Sequence, residues 1–429
     1  MGAIVRERYL QKLIDRKENG MIKVITGIRR CGKSYLLFHL YYDYLLSVGV
    51  RKENIIAIAL DEEENDKYRN PKELSAYIRS KIVNNEQYYV FIDEVQYAIK
   101  KEELKSNDPL PLYGVLNGLL RMRNVDVYVT GSNSRLLSKD VMTEFRGRGD
   151  EVRVYPLTFK EYYEYLGGDK LERFEEYATF GGLPLTLFRK NTEDKIKYLA
   201  DLFKEVYFKD IQERYSIDLP EVLQLLTDDL CSTIGSLTNS SKLAAALKSA
   251  KNVKVDSQTI ATYLEYLEES FLFNQAKRYD VKGKKYFLYP SKYYCTDMGL
   301  RNARLNFRQQ EETHAMENII YNELLTRGFS VDVGVVELVR IGEDGKRHQK
   351  QCEIDFVVNK GMRKYYIQSA LALNTEDKER NELRPFLETK DFFKKIIVTK
   401  SYMKPWFDDN GIYHVGLYDF LLDESLLES

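Results

Sequence analysis

The sequence predicts an α/β protein whose first part is a mostly parallel sheet covered by helices on both faces. Two observations carry this. Apolar runs at 22–25, 55–60, 88–92 and 125–130 alternate with stretches of helical period. Each run ends in a polar cluster, and parallel sheets collect their ligands at the carboxyl ends of their strands.

A short amphipathic helix at 7–20, with Tyr9, Leu10, Leu13 and Ile14 on one side, precedes the first strand. After that strand the chain reads Gly27-Ile28-Arg29-Arg30-Cys31-Gly32-Lys33-Ser34, which fits G-x-x-x-x-G-K-[ST]. Gly27 and Gly32 lack Cβ atoms, so the backbone can turn tightly and aim its N–H groups at phosphate oxygens. The helix of 34–47, with Tyr35 near its start, adds its positive end. Lys33 is expected at the β- and γ-phosphates and the Ser34 hydroxyl on Mg²⁺. The expected nucleotide-binding set is thus Gly27, Ile28, Arg29, Arg30, Cys31, Gly32, Lys33, Ser34 and Tyr35.

The second strand, 55–60, runs into Asp61-Glu62-Glu63-Glu64, whose like charges read as a solvated loop. A helix at 71–83 follows. The third strand, 88–92, ends in Asp93-Glu94. There Asp93 would hold Mg²⁺ through water or Ser34, and Glu94 would polarise the attacking water. After a helix at 112–122, the fourth strand, 125–130, ends in Gly131-Ser132-Asn133-Ser134. Ser132 and Asn133 can sense the γ-phosphate or orient the water; the alternative is that they cap a helix at 134–139. Next comes Phe145-Arg146-Gly147-Arg148-Gly149-Asp150 and a strand at 152–154. Arg146 or Arg148 could stabilise charge on a neighbouring subunit's nucleotide, or both could pair with Asp150 or Glu151.

At 429 residues the chain has room for two or three domains. Lys and Arg number 65 against 66 Asp and Glu, so any nucleic-acid contact must come from local basic patches. Cys31, Cys231, Cys295 and Cys352 form no C-x-x-C pair, which argues against a zinc ribbon or a disulfide framework and suits a reducing compartment. Residues 1–10 have no apolar leader core, and no later run could span a bilayer, so a soluble cytoplasmic protein with no membrane partner is expected.

Residues 160–215 have a helical pattern broken at Gly181-Gly182-Leu183-Pro184. Helices are expected at 222–233, 240–250 and 257–269, the latter two capped by Ser240-Ser241 and Asp256-Ser257. Strands at 272–279 and 285–289 follow, joined through Lys282-Gly283-Lys284, which completes the order of a winged helix. Lys277, Arg278, Lys282, Lys284 and Lys285 suit DNA phosphates, whereas Glu265, Glu268 and Glu269 on the third helix would repel them.

The combination of GIRRCGKS, YYVFIDEVQ, VYVTGSNSRLL, FRGRG, YPLTFKEYY and YATFGGLP resembles a prokaryotic group of AAA+-type P-loop ATPases. The resemblance covers essentially the whole chain. It implies an ATPase core with a helical extension at 1–215, a winged-helix domain at 216–304 and a small α/β restriction-endonuclease-like domain at 305–429. It also implies ATP hydrolysis and homo-oligomers that could be rings; with the motifs above, the expected cofactors are ATP and Mg²⁺ and the expected catalytic residues are Lys33, Glu94, Asn133, Arg146 and Arg148. No guanine-reading N-K-x-D run follows the core.

An endonuclease-like site needs an acid, then an acid-x-lysine on the next strand. Glu317 and Asp355 match the first positions, but the strand that should complete the set carries Gln368-Ser369-Ala370. The domain is therefore expected to be a scaffold or binding surface without nuclease activity. The expected function is ATP hydrolysis coupled to moving or remodelling DNA. A slow nucleotide-operated switch that recruits an unknown protein partner is the alternative. An ATP-licensed nuclease with a displaced lysine, such as Lys360 or Lys364, is a third reading.

Overall fold

The computed structural model describes residues 4–100, 102–103, 108, 110–132, 147–215, 217–287, 289–309, 311–341, 347–402 and 404–427. The chain divides into two compact units. The first comprises Met1–Pro156 with Leu183–Leu185 and Glu269–Phe271; the second comprises Leu157–Gly182, Thr186–Glu268 and Leu272–Ser429.

Among its described residues the first unit holds a five-stranded sheet. Its strands are β1 (Ile22–Thr26), β2 (Ile55–Ala59), β3 (Tyr88–Asp93), β4 (Val125–Gly131) and β5 (Gly149–Arg153), in the order β2-β3-β4-β1-β5. Every neighbouring pair is parallel. β1, β3 and β4 are mostly apolar and buried along their whole lengths, because helices cover both faces of the sheet, and the charged Lys23 of β1 and Asp126 of β4 are buried as an ion pair. On one face the helices Pro71–Lys81 and Pro111–Leu120 bring Leu74, Ile78, Leu112 and Leu116 against Val24, Ile58, Val90 and Val127. Each of these helices begins with a proline, whose missing N–H is not needed in the first turn. On the other face the helix that follows the phosphate loop packs Tyr41 against Phe91 and Tyr128 with tilted rings, centroids 5.9 and 5.0 Å away. Its middle turns, Leu36–Tyr41, are π-helical. β5 begins at Gly149, ahead of the expected apolar start at Val152, because an edge strand can carry polar residues such as Asp150 and Glu151.

The first unit ends at Pro156, whereas the expected ATPase domain extended to 215. The physical reason is long-range packing within the second unit. Leu157 N donates to Gly182 O at 2.8 Å. The Asp297 carboxylate accepts from Gly182 N at 2.8 Å, and Asn302 Nδ2 donates to Ala178 O and Thr179 O at 3.0 and 2.9 Å.

The helices Pro220–Ser232, Ser240–Lys251 and Ser257–Glu269 follow in the second unit. The second is capped by Asn239, which accepts from Lys242 N at 2.8 Å, and not by the expected serines; Asp256 caps the third through Thr259 N at 2.8 Å. β6 (Phe273–Ala276) pairs antiparallel with β9 (Lys292–Cys295). Between them, β7 (Arg278–Asp280) and β8 (Lys285–Tyr286) form the tip of the basic hairpin. That tip is not a free wing, because β7 pairs in parallel with β10 (Ser330–Ile341). It thereby joins a mixed sheet with β11 (Arg347–Lys360), β12 (Arg363–Ala370), β13 (Lys394–Thr399), β14 (Trp406–Phe407) and β15 (Tyr413–Gly416). The order among the described residues is β14-β15-β13-β12-β11-β10-β7-β8.

Candidate functional site

The site lies where β1, β4 and β3, neighbours in the sheet, end. Gly27 follows β1 with φ of +140°, and a Cβ on it would lie 2.1 Å from Val154 O, so only glycine fits there. Arg30 at φ +64° and Gly32 at φ +100° bend the loop through left-handed conformations, the kind of path that turns successive N–H groups toward one centre. Lys33 is 3% exposed and folds back over the loop, its ammonium donating to Gly27 O at 3.0 Å and Ile28 O at 3.1 Å. Cys31 is buried with its thiol 3.4 Å from Val154 O, and burial pushes that thiol above its ordinary range. Arg29 and Arg30 point outward to different degrees: Arg29 is half-buried with Nε 3.3 Å from Ser132 Oγ, and Arg30 is exposed. Tyr35 is exposed, its ring 4.9 Å from that of His39.

Asp93 closes β3 and is 5% exposed. Its carboxylate accepts from the Thr130 hydroxyl and is hydrogen-bonded to Ser34. Burial, and next the charge of Glu94, push it up to about 6, while the bonds to Thr130 and Ser34 and the charge of Lys33 act the other way. Glu94 stands at φ +52°, a left-handed conformation uncommon outside glycine and found where a site fixes the chain. Its N–H donates to Thr130 Oγ1 at 3.0 Å, so a single threonine holds both acids. Gln96 Nε2 donates to the Glu94 carboxylate and lies 3.5 Å from Ser132 Oγ. Gln96 Oε1 is buried with no hydrogen-bond partner among the described residues.

The structure thus gathers the loop residues, Lys33, Ser34, Asp93, Glu94 and Ser132. Asn133 and Arg146 lie outside the described residues. Arg148 is exposed and lies away from this site: Ile22 pairs with Gly149, so it sits beside the start of β1. Four residue steps lead from that point to Thr26, about 13 Å along the strand. Asp150, offered as an ion-pair partner for the arginines, is bonded to Arg16 at 2.9 Å and Asn19 at 3.0 Å. Glu151 accepts the Thr26 hydroxyl at 2.5 Å.

Three participants escaped the sequence reading. Thr130 and Gln96 lie inside quoted motifs, but their partners could be named only once the strands were paired. Arg6 is 3% exposed and donates to Cys31 O at 3.0 Å and Tyr155 O at 2.9 Å, tying the phosphate loop to the segment after β5. An arginine ahead of the first helix carries no local signal of this.

The donor set suits a magnesium nucleotide. An ammonium satisfied by loop carbonyls can turn to phosphate oxygens at little cost, and a hydroxyl bonded to a buried carboxylate is the oxygen pair that Mg²⁺ takes.

Residues 19–163 match the family model of an AAA domain, and residues 171–311 match a domain of unknown function, DUF8612. An uncharacterized protein of Haemophilus influenzae is 34% identical over 425 residues, 98% of each chain. Another, from Methanocaldococcus jannaschii, is 27% identical over 385 residues, 86% of this chain and 78% of that one. The Walker-type ATPase Paby2304 of Pyrococcus abyssi is a similar solved structure, at 18% identity and a TM-score of 0.48 over 71% of this chain and 96% of that one. With its AAA domain matched, its parallel sheet and its phosphate loop in place, the chain belongs to the AAA-type P-loop ATPases.

Proposed function

We propose that the protein hydrolyses ATP with Mg²⁺ as a homo-oligomer and couples hydrolysis to moving or remodelling DNA. The observation that carries the hydrolytic part is the convergence of Lys33, Ser34, Asp93 and Glu94 at adjacent strand ends. In this reading Lys33 leaves Gly27 O and Ile28 O for the phosphates. Ser34 and Asp93 hold the metal, which when bound neutralises charge on the phosphate oxygens. Glu94, fixed through its own N–H by Thr130 and through its carboxylate by Gln96, takes the proton of the attacking water. Asn133 orients that water, and Arg148 or Arg146 acts on the next subunit's nucleotide, for which a ring is the natural arrangement.

A polyanionic partner is supported by the exposed Lys277, Lys282, Lys284 and Lys285 on and around β7 and β8. Lysines on an edge strand also discourage strand pairing between chains, so the salt dependence of binding decides between the two roles. The proposed location is the cytoplasm, in keeping with the buried free thiols of Cys31, Cys231 and Cys295. No helix among the described residues is long and apolar enough to cross a membrane.

The test is an ATPase assay with and without single- and double-stranded DNA, run alongside a mass measurement in ATP. Turnover that DNA accelerates and an oligomer that ATP stabilises are the expected results. Slow turnover indifferent to DNA, with long nucleotide retention, would replace the motor by a switch with a protein partner.

A further inference from the structure

The restriction-endonuclease resemblance implies a divalent metal at Glu317 and Asp355, and the second unit tests whether its residues fit one. Glu317 comes from the helix Glu312–Thr326, Asp355 from β11. Between them lies a residue from outside the expected domain: Lys292 on β9, 4% exposed. Its Nζ is 2.8 Å from Glu317 Oε1, 2.7 Å from Glu353 Oε1 and 3.9 Å from Asp355 Oδ1. Three carboxylates from two elements thus converge on one ammonium supplied by a third.

Other hydrogen bonds occupy part of the cluster. Glu317 Oε1 accepts the Tyr294 hydroxyl at 2.6 Å, and Asp355 Oδ2 accepts Ser369 N at 2.8 Å. The Gln368 amide is used at both ends, its oxygen accepting Asp355 N at 3.2 Å and its nitrogen donating to Glu382 at 2.8 Å. Ala370 offers nothing. A divalent ion taking Glu317 Oε1 or Glu353 Oε1 would share an oxygen that Lys292 already touches, against the repulsion of its fixed positive charge. Among the described residues no group of His, Cys, Asp and Glu is arranged to hold a metal. The lysines that could have been displaced into such a site lie elsewhere: Lys360 donates to Arg327 O at 2.8 Å, and Lys364 sits over the Tyr279 ring at 4.9 Å.

We propose that the Lys292 ammonium is the resident cation of this carboxylate cluster, standing where the resemblance implies a divalent metal. Its role is to join β9 to the helix of Glu317 and to β11, and the second unit works without metal chemistry. Asn318 reinforces the same seam, accepting Cys295 N and donating to Cys295 O at 2.8 and 2.7 Å.

The test uses the full chain carrying Asp93→Asn, so that the phosphate-loop site contributes little Mn²⁺ binding. Mn²⁺ titrations followed by paramagnetic resonance should be identical with and without a further Glu317→Gln, since the cluster takes up no Mn²⁺ while Lys292 is present. Lys292→Ala in the same background leaves buried carboxylates uncompensated, and its thermal midpoint should fall on the order of 10 °C. Millimolar Mn²⁺ or Mg²⁺ should restore most of that loss, and a Mn²⁺ site should be gained that Glu317→Gln removes. If Lys292→Ala does not fold under any condition, the comparison with and without Glu317→Gln decides alone. A Mn²⁺ site in the protein with Lys292 intact, lost on Glu317→Gln, would overturn the proposal. So would a folded Lys292→Ala protein that gains neither Mn²⁺ nor stability from it.

Discussion

Gln96 reaches back two residues to hold the carboxylate of Glu94 through its amide nitrogen, and the same nitrogen lies 3.5 Å from Ser132 Oγ at the end of the neighbouring strand. The backbone of Glu94 is already set by its left-handed conformation and by Thr130, and the amide adds a hold on the direction of the carboxylate. Gln96→Ala should therefore lower turnover while nucleotide affinity stays near that of the wild type. A hydrogen bond to a charged group is worth roughly 1.5–3 kcal/mol, which corresponds to about a ten- to hundredfold loss in rate if the bond persists in the transition state. Single-turnover hydrolysis beside fluorescent-nucleotide binding measures both; a rate unchanged in Gln96→Ala would remove the positioning role.

Lys33 and Glu94 should separate binding from chemistry. In the proposed mechanism Lys33 contacts phosphate in the ground state and Glu94 acts on water, so Lys33→Ala should lose nucleotide binding and Glu94→Gln should keep it. Glu94→Gln should lose about 10²- to 10⁴-fold in turnover, the range usual for a general base. Equilibrium binding with a slowly hydrolysed analogue, then turnover, checks the pair. Normal hydrolysis by Glu94→Gln would return the role of base to another residue.

Much of this site is legible in the sequence because the loop and the acidic strand end are local: Gly27 to Ser34 and Asp93-Glu94 each sit within one turn or strand terminus. The strands β1 to β4 are equally legible, since burial on both faces favours short, mostly apolar runs. What was not legible depends on partners far along the chain. The end of the first unit at Pro156 is decided by bonds such as that from Gly182 to Asp297, 115 residues apart, and no linker composition marks it. The basic hairpin reads as a wing until Tyr279 is found opposite Gly334. Lys292 looks like one more strand lysine until the fold brings it to Glu317 and Glu353.

The raised pKa of Asp93 makes function and stability pull in opposite directions. An acid held at about 6 in the folded protein, against 3.8 as its reference, binds its proton more tightly when folded. Its contribution therefore favours folding below about pH 4 and is lost as pH rises through about 6. Asp93→Asn, which is never charged, should make the metal-free protein more stable at pH 8 by up to about 3 kcal/mol. It should do little at pH 4 and should abolish Mg²⁺-dependent hydrolysis. Denaturant unfolding of both proteins in chelator at the two pH values is the measurement. A gain no larger at pH 8 than at pH 4 would mean that the carboxylate is not under this strain.

Arg148 lies at the end of β5 away from its own chain's phosphate loop, about 13 Å along the strand direction from Thr26, so it cannot assist the nucleotide held there. Its glycine neighbours and exposed position leave it able to meet another subunit. The acids beside it are engaged elsewhere, Asp150 with Arg16 and Glu151 with Thr26, which removes the main reason to read it as a surface ion pair. An arginine acting on the transferred phosphoryl group is typically worth a factor of 10³ to 10⁵ in rate. Arg148→Ala should therefore lose turnover on that scale with little change in nucleotide affinity, because the contact strengthens in the transition state. Arg146, outside the described residues, is the control, and the same assay on Arg146→Ala assigns the role to one of the two. The decisive experiment mixes Arg148→Ala, whose phosphate loop is intact, with Lys33→Ala, whose arginine is intact. Mixed oligomers should recover part of the activity that neither protein has alone, in proportion to the interfaces that pair a good loop with a good arginine. Co-assembly demonstrated by mass with no recovered turnover would show that Arg148 does not act across the interface.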